Sequence, residues 1–342
     1  MESPELVTVV IPARNEEAFL GACLDSVRAQ DYRNLQIVVV DGASTDSTAE
    51  VVRSRMAIDD RIELLTNPRS TIPRSLNQAV AAARGTWLVR VDAHSTVPRD
   101  YVSIAVERLR EGTWSGVGGR KDGVGRTPAG RAIAVAMGSP FGVGNSTYHY
   151  GTEPQEVDHL PFGAYPVEVV RRHGGWDEEL VANEDFEFDY RLLQAGEKLL
   201  FEPRMVIHWH CRQSLPDLYR QYRRYGQGKV DVVRRHPTSL SARHLVPPAL
   251  VAYTAVSAAV AVRHPGRTAL MMAPYAVAIA AATAQTASRL DSRRDLASLP
   301  GAFVAMHVGW GVGFWSGVRR VIWSLLGGHD AGASPIDRPS AR

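Results

Sequence analysis

Two aspartates that close apolar runs most constrain how this chain can fold. Asp41 follows the run Leu35–Val40, and Asp92 follows the run Trp87–Val91. Short, nearly continuous apolar runs are typical of strands that are buried on both faces of a parallel sheet. Because open α/β sheets bind ligands at the carboxyl ends of their strands, both carboxylates are predicted to lie at a ligand-binding edge.

Helical segments separate the apolar runs. Leu6–Ile11 is predicted to be a strand, and apolar residues recur at helical spacing within 19–27. Arg61–Leu65 is predicted to be a further strand, and the helix that follows it has Pro73 in its first turn. The resulting order is β-α-β-α-β-α-β. This order predicts an α/β fold, with a mostly parallel sheet and helices on both faces.

The middle of the chain has a weaker pattern. Residues 117–165 are glycine-rich, and we expect them to be mostly irregular apart from one alanine-rich piece at 129–137. A long irregular stretch is more often a functional loop than a spacer. Helix and strand signals return from Glu168 to about Gly228.

Composition excludes several classes of protein. The net charge is +3 over 342 residues, and the sequence has no nucleic-acid-binding motif, so we expect no nucleic-acid partner. The two cysteines, Cys23 and Cys211, are far apart, which argues against a disulfide framework or a zinc site. The N-terminus does not resemble a signal peptide, so the first domain is expected in the cytosol.

Three runs without charged residues follow in the C-terminal third. Leu245–Val262, Thr268–Ala287 and Leu299–Val318 are each about as long as a bilayer-spanning helix. Buried helices of a soluble domain, or a hairpin plus an interfacial segment, are the alternatives. Arg319 and Arg320 would lie outside in a three-span arrangement, against the positive-inside tendency. Glycines at 309, 311, 313 and 317 suit close helix packing.

These changes in composition predict four parts. Residues 1–228 form a catalytic domain, 229–244 a basic juxtamembrane linker, 245–327 two or three membrane-associated helices, and 328–342 a flexible tail.

The first acidic position suits a nucleotide. A carboxylate at a strand end, here Asp41, accepts hydrogen bonds from a base or a ribose. Pro12, Ala13, Arg14 and Glu16 follow the first strand at the same predicted edge and are further candidate nucleotide contacts. For Arg14, a solvated surface charge is an equally simple interpretation.

The second acidic position suits a metal. Asp92 and His94 are two residues apart, so an extended backbone directs both side chains to one side. A divalent cation held there would link Asp92 to the diphosphate of a bound nucleotide. The imidazole favours Mn²⁺ over Mg²⁺. His208 and His210 are candidates for further ligands, with structural histidines as the alternative.

The third acidic position suits general-base catalysis. Glu184 and Asp185 open a predicted helix. Transfer with inversion at an anomeric carbon needs one base for the acceptor hydroxyl. Asp185 is predicted to be that base, with Glu184 supporting it. Two first-turn acids favoured by the helix dipole are the alternative interpretation.

A basic and aromatic segment follows. Gln221, Arg223, Arg224 and Tyr225 are predicted to clamp a diphosphate or an anionic acceptor. The alternative is a basic flank beside an anionic membrane leaflet.

Together these motifs resemble the family 2 glycosyltransferases with a GT-A fold. The resemblance covers residues 6–228 and includes T-V-V-I-P-A-R-N-E-E, V-D-G-A-S-T-D-S-T, V-R-V-D-A-H and G-G-W-D-E-E-L-V-A-N-E-D. It implies that Asp41 binds the nucleotide, that Asp92 with His94 stands for the metal-binding D-x-D, and that Asp185 is the base. His94 departs from the family's aspartate. Tyr225 replaces the tryptophan of Q-x-x-R-W, so processive polymer synthesis is not implied.

The D-A-H motif, the Q-Y-R-R-Y-G segment and the apolar C-terminus are most similar to the ExoA-like subgroup. That similarity implies an inverting transfer, with Mg²⁺ or Mn²⁺, from a UDP-sugar such as UDP-glucose to a lipid-linked or other membrane-held acceptor. We expect this at the cytoplasmic face of the cell membrane, in contact with membrane lipids. Residues 139–165, including Phe162, are predicted to form the acceptor wall.

Two other functions stay open from the sequence. A sugar-nucleotide nucleotidyltransferase would need a glycine-rich phosphate loop after the first strand, where this chain reads I-P-A-R-N-E-E. A non-catalytic membrane adaptor would not need all of the acidic positions.

Overall fold

The computed structural model describes residues 5–326, and the predicted tail at 328–342 lies outside them. The strands are β1 Val7–Ala13, β2 Leu35–Asp41, β3 Ile62–Thr66, β4 Trp87–Arg90, β5 Ser95–Thr96, β6 Gly116–Val124, β7 Gln155–Glu156, β8 Ala164–Pro166 and β9 Leu199–His210. The helices are α1 Leu20–Arg28, α2 Thr48–Met56, α3 Ile72–Ala82, α4 Tyr101–Leu109, α5 Pro128–Met137, α6 Pro140–Val143, α7 Val167–Arg172, α8 Glu184–Gln194, α9 Leu215–Arg235, α10 Ala242–Ala261, α11 Pro265–Thr286 and α12 Arg293–Leu325.

All the strands belong to one sheet, with the order β3-β2-β1-β4-β8-β6-β9-β5 and with β7 paired to β9. β3, β2, β1 and β4 are mutually parallel, as predicted. β8 joins β4 to β6 in antiparallel fashion, and β6 runs parallel to β9. The predicted α/β fold with a largely parallel sheet is therefore confirmed.

Helices cover both faces of the sheet because the central strands are apolar on both sides. Val9 and Ile11 of β1 pack in one core with α1 and α4, whereas Val10 packs in a second core with α3 and α8. β2 is buried at every position. Burial of each such aliphatic side chain is worth about 1.5–3 kcal/mol, so the carboxyl edge of these strands is a rigid base for a site.

The expectation of a mostly irregular stretch at 117–165 was wrong for its first part. β6 occupies residues 116–124 and lies between β8 and β9 in the sheet. Its glycines are there because neighbours approach closely: a Cβ on Gly119 would lie 1.9 Å from the Met205 carbonyl oxygen, and one on Gly118 would lie 2.8 Å from Leu160. The glycines therefore mark close packing in a strand.

Helix α9 crosses the domain boundary predicted at residue 228. It continues to Arg235, and the predicted linker 229–244 also contains a short 3₁₀ turn and the start of α10. Lys229 is buried there, with its Nζ donating to the Ser239 carbonyl at 3.0 Å and lying 3.6 Å from the Phe186 ring centroid. This segment is packed against helix α8 of the sheet-containing part of the chain.

Within residues 5–326, α10, α11 and α12 are long and apolar enough to cross a membrane. They differ in their surroundings. Within an 18-residue apolar stretch of each helix, the buried share is 39% in α12 and 11% in both α10 and α11. Leu299, Phe303 and Met306 of α12 belong to the main core, and Asp295 pairs with Arg131 of α5. α12 thus connects the apolar helices to the part of the chain that contains the sheet.

Glycines make this connection close, as their spacing predicted. A Cβ on Gly313 of α12 would lie 2.0 Å from the Arg223 carbonyl oxygen of α9, and one on Gly226 of α9 would lie 2.0 Å from that of Trp310. The two backbones are therefore in direct contact where these glycines face each other.

The substitution Gly313→Ala should destabilise the protein by about 1–3 kcal/mol, because the added methyl group has no space between α12 and α9. Thermal or denaturant unfolding of the detergent-solubilised protein measures this. Gly266→Ala is the matched control, since no heavy atom lies within 4 Å of its added Cβ. Equal stability of the two variants would contradict the packing described here.

Candidate active site

The carboxyl ends of β1, β2 and β4 meet at one edge of the sheet. Ala13 at the end of β1 pairs in register with Asp41 at the end of β2. On the other side of β1, the Val91 N–H donates to the Val10 carbonyl, and Asp92 follows directly. The sheet therefore brings the first two acidic positions to the same edge, as predicted from the strand pattern.

The candidate nucleotide contacts lie around Asp41. Its carboxylate is 7% exposed and accepts hydrogen bonds from the Ser44 backbone N–H, at 3.2 Å, and from the Ser44 hydroxyl. Pro12 lies within β1, next to the edge, whereas Arg14 beyond the strand is exposed. Asp41 is thus held in a fixed orientation at the floor of the edge.

One arginine joins the second and third acidic positions. Arg90, the last residue of β4, has a side chain that is only 3% exposed. Its Nε donates to Asp92 at 3.1 Å, its Nη1 donates to Asp185, and its Nη2 lies 3.7 Å from Glu184. A buried guanidinium is stable only with such partners. Burial by itself lowers the pKa of Arg90, but the charges of Asp185, Asp92 and Glu184 outweigh it and hold that pKa above its ordinary value.

Asp185 lies at the start of α8. The indole N–H of Trp176 donates to its Oδ1 at 3.1 Å, as does Arg90. Burial raises the pKa of Asp185 to about 7, against the opposing effect of the Arg90 charge. A carboxylate with a pKa near neutrality is suited to general-base catalysis, because it accepts a proton without being fully protonated beforehand.

His94 is held by two partners. Its Nε2 accepts a hydrogen bond from the Trp209 indole N–H at 2.7 Å, so Nδ1 carries the ring proton and donates to Glu16 at 3.1 Å. Neither nitrogen is free in this arrangement, and His94 binds a metal only if Trp209 moves away.

The other two candidate histidines lie on β9. His208 is exposed, whereas His210 is half-buried with its ring 4.8 Å from that of Phe19 and its Nδ1 without a partner among the described residues. Burial lowers the pKa of His210, which keeps its ring neutral.

The acidic edge fits a metal that is shared with the substrate. In residues 5–326 no three His, Cys, Asp or Glu side chains form a group that could hold a metal alone. Mg²⁺ usually needs only one or two protein carboxylates when substrate phosphates complete its shell. Asp92 at the open edge meets that requirement.

Helix α9 lies beside the start of α8. The Asn183 side chain donates to the Tyr225 carbonyl at 3.0 Å, and Gln221 donates to the Tyr225 hydroxyl at 2.8 Å. The Nε of Arg224 and the Oε1 of Gln221 are buried without partners among the described residues. The predicted clamp segment therefore lies close to the start of α8, where Glu184 and Asp185 are, and it has unused polar atoms.

Left-handed backbone conformations cluster around this site. In the described part of the chain, five residues other than glycine have positive φ: Asn15, Ala43, Ser70, Phe162 and Asn183. Asn15 and Ala43 follow β1 and β2, Ser70 donates to the Gly42 carbonyl, and Asn183 precedes α8. Such conformations cost about 1–3 kcal/mol each and are concentrated at functional sites.

Sequence reasoning missed three residues of the site. Arg90 and Lys121 both lie against the Phe162 ring, at 5.3 and 4.8 Å from its centroid, and Trp209 holds His94. A charged residue inside the apolar run Trp87–Val91 was a signal for Arg90. No local signal marked Lys121, which lies in a glycine-rich stretch.

Comparison with known proteins agrees with this geometry. The family described as Glycosyl transferase family 2 matches residues 8–170, and Glycosyl transferase family group 2 matches residues 163–283. The succinoglycan biosynthesis protein ExoA of Rhizobium meliloti is 32% identical over 92% of this chain and 97% of its own length. The chain belongs to glycosyl transferase family 2. It is therefore a glycosyltransferase.

A more distant relative and a solved structure extend the comparison. A dolichyl N-acetyl-glucosaminyl phosphate diacetamido-dideoxy-glucuronosyltransferase of Methanococcus voltae is 25% identical over 67% of this chain and 74% of its own. The mannosyltransferase PcManGT of Pyrobaculum calidifontis, solved with GDP-Man and Mn²⁺, superposes with a TM-score of 0.62. It is 23% identical over 88% of this chain and 86% of its own. The predicted GT-A fold is confirmed.

Replacement of Arg90 by methionine should lower the free energy of unfolding by about 3–5 kcal/mol, because it leaves buried carboxylates without their cation. Arg74→Met is the matched control, since Arg74 pairs with Glu178 at the surface and its loss should cost no more than about 1 kcal/mol. Denaturant unfolding measures both. A loss for Arg90→Met no larger than the control's would show that the cluster does not depend on this cation.

Proposed function

We propose that this glycosyltransferase is an inverting, metal-dependent enzyme that moves a sugar from a UDP-sugar to a lipid-linked or other membrane-held acceptor. The observation that carries the proposal is the shared guanidinium of Arg90. Arg90 donates hydrogen bonds both to Asp185, the candidate base, and to Asp92, the carboxylate at the proposed donor edge, and this shared contact supports their roles in one reaction. Glucose is the first candidate for the sugar.

The names of the relatives support a role in polysaccharide or glycolipid assembly. One is a protein of succinoglycan biosynthesis, and another acts on a dolichyl-linked sugar phosphate. The structural neighbour was solved with a nucleotide sugar and Mn²⁺. Each of these findings concerns another protein, and together they favour a nucleotide-sugar donor, a divalent ion and a lipid-borne acceptor here.

In the proposed reaction, Asp185 takes the proton of the acceptor hydroxyl. The acceptor oxygen forms a bond to the anomeric carbon, and the bond from that carbon to the diphosphate oxygen breaks on the opposite face. The nucleoside diphosphate leaves with the electron pair. Arg90 and the Trp176 indole keep Asp185 oriented through hydrogen bonds, and Glu184 supports this arrangement through its ion pair with Arg90. Asp41 with the end of β1 holds the nucleoside.

Asp92, with His94 once Trp209 has moved, would hold Mg²⁺ or Mn²⁺, and the ion would neutralise the charge that develops on the leaving diphosphate. Asp92 is the first candidate for the protein ligand, because His94 has both nitrogens engaged.

The membrane-capable helices support the choice of acceptor. α10, α11 and α12 follow the catalytic part directly, and α12 packs against both α9 and α5. The proposed location is the cytoplasmic face of the cell membrane. Membership of the glycosyltransferase family decides against the nucleotidyltransferase and the adaptor that the sequence left open.

A donor screen tests the proposal. Membranes that contain the protein are incubated with UDP-, GDP- and dTDP-sugars and with Mn²⁺ or Mg²⁺, and release of nucleoside diphosphate is measured. We expect release from a UDP-sugar that requires the metal and is reduced by at least about 100-fold in Asp185→Asn, because the base is lost. Metal-independent release, or full activity of the variant, would contradict the proposal.

The pH profile tests the base. Transfer requires ionised Asp185, so the rate should fall as the pH drops through about 7. Trp176→Phe removes an N–H that stabilises the ionised carboxylate. The pKa of Asp185 should therefore rise, and the acidic limb of the profile should move to higher pH.

Trp114→Phe is the matched control for this shift, because it removes an indole N–H from Glu111 at a remote position. An acidic limb that stays in place in Trp176→Phe would argue against Asp185 as the group that controls the rate.

A further inference from the structure

The side-chain amide of Asn77 forms a reciprocal contact with the backbone of Trp176. Asn77 lies on α3, and Trp176 lies in the loop between α7 and α8. The Nδ2 of Asn77 donates to the Trp176 carbonyl at 2.8 Å, and its Oδ1 accepts from the Trp176 backbone N–H at 2.9 Å. One side chain therefore holds both backbone polar groups of a residue that is 99 positions away.

The backbone of the loop is shaped to accept this amide. Gly175, directly before Trp176, has a φ of +68°, and a Cβ on it would lie 2.3 Å from the Asn77 Oδ1. The three heavy atoms nearest to such a Cβ all belong to Asn77. Gly174 also has a positive φ, of +76°, but its added Cβ would meet no heavy atom within 4 Å. Close approach of the amide therefore requires a glycine only at position 175.

The other end of Trp176 reaches the candidate base. Its indole N–H donates to the Asp185 Oδ1 at 3.1 Å. Its ring is 2% exposed and packs against Phe188 and Tyr165, with centroid distances of 4.9 and 6.4 Å. Because close-packed aromatic rings leave little room for adjustment, a shift of the Trp176 backbone moves the indole N–H relative to Asp185.

The helix that carries Asn77 is itself bonded to the candidate nucleotide edge. In the loop before α3, the Asn67 backbone N–H donates to the Asp41 carbonyl at 2.7 Å, and the Ser70 hydroxyl donates to the Gly42 carbonyl at 2.6 Å. α3 thus has fixed contacts with the nucleotide edge at its start and with the loop before the candidate base through Asn77.

We propose that Asn77 is a positioning residue for the transfer reaction, whose amide holds the Trp176 backbone so that the indole N–H stays directed at Asp185. The inference rests on the proposed function, because it takes Asp185 as the base. Asn77 acts through Trp176 and not through contact with the reacting atoms. A purely structural role is the alternative, since buried backbone polar groups need partners in any case.

Asn77 reaches Asp185 by no other bonded route. Within residues 5–326, the side-chain hydrogen bonds of Asn77 go to Trp176 and to Glu178, which pairs with Arg74 at the surface. Other charged and titratable groups act on Asp185, and none of them is bonded to Asn77 in this part of the chain: Arg90, Lys121, His159, Tyr165, Glu184 and Asp189.

NMR of the Trp176 indole N–H is the first measurement, because it needs no donor. The full-length protein in detergent is labelled at tryptophan, and the Trp176 signal is assigned by its absence in Trp176→Phe. In the wild type this signal should titrate with Asp185, near pH 7. In Asn77→Ala the midpoint should rise by about 0.5–1 pH unit, because the ionised carboxylate loses a well-directed N–H.

The rate of transfer should follow the same shift. With UDP-glucose and Mn²⁺ as the probe, the acidic limb of the pH profile should move to higher pH in Asn77→Ala. The higher pKa leaves less of the base ionised, so the rate below the limb should fall about 3- to 10-fold. Gln78→Ala is the matched control, because this neighbouring amide of α3 bonds to the Thr66 carbonyl and not to the Trp176 loop.

Gly175→Ala approaches the same contact from the loop. Its methyl group would displace the Asn77 amide and should raise the midpoint as Asn77→Ala does. Gly174→Ala carries a similar left-handed strain without the collision and should leave the midpoint in place. The shifts of Asn77→Ala and Gly175→Ala should not add in the double variant, since both remove one contact.

Denaturant unfolding of each variant separates positioning from stability. A folded Asn77→Ala that is less stable, but whose indole signal and acidic limb titrate as in the wild type, would overturn the proposal. Equal midpoints in Gly174→Ala and Gly175→Ala would do the same. If Asn77→Ala does not fold, Asn77→Ser, which retains a small polar side chain, replaces it in each comparison.

The failure of this inference differs from the failure of the proposed function. An indole midpoint that depends on Asn77, in a protein that releases no nucleoside diphosphate from any donor, would contradict the proposed function and leave the Asn77 contact standing. Transfer that is lost in Asp185→Asn but has the same pH profile in Asn77→Ala and wild type would contradict the role of Asn77 alone.

Discussion

The buried guanidinium of Arg90 is the interaction on which the site depends. It comes from β4 in the parallel half of the sheet and contacts Asp92 beyond the end of its own strand and Asp185 at the start of α8. Without it, carboxylates from two distant parts of the chain would repel each other in a poorly solvated space. The same cation therefore stabilises the fold and sets the relative position of the donor edge and the candidate base.

Rigid strands and strained loops have different roles around Arg90. β1 and β2 are buried on both faces and do not move easily, whereas the loops that follow them contain Asn15 and Ala43 in left-handed conformations. Phe162, also left-handed, contacts both Arg90 and Lys121. The strain is located around the candidate site, and the packed sheet offsets its cost.

Close packing between α9 and α12 extends the site toward the membrane-capable helices. Glycines on both helices allow backbone contact, so α9, which bonds to the loop before α8, is held directly by α12. Arg289, in the turn before α12, donates a hydrogen bond to the Gly138 carbonyl at the end of α5. The apolar helices therefore pack directly against elements that hold the candidate site.

Local patterns in the sequence predicted the alternation of strands and helices in the first half of the chain, the acidic edge and the apolar C-terminal helices. These patterns are apolar runs, the residues that end them, and charge-free segments. The sequence did not reveal β6, because its glycines are required by close contacts with Met205 and Leu160, which lie farther along the chain. Tertiary structure alone produces three features: the Arg90 cluster, the hydrogen bond from Trp209 to His94, and a cavity lined by both Lys121 and Arg289. Each joins residues that are more than 90 positions apart, and only the packing of the sheet and helices brings such residues together.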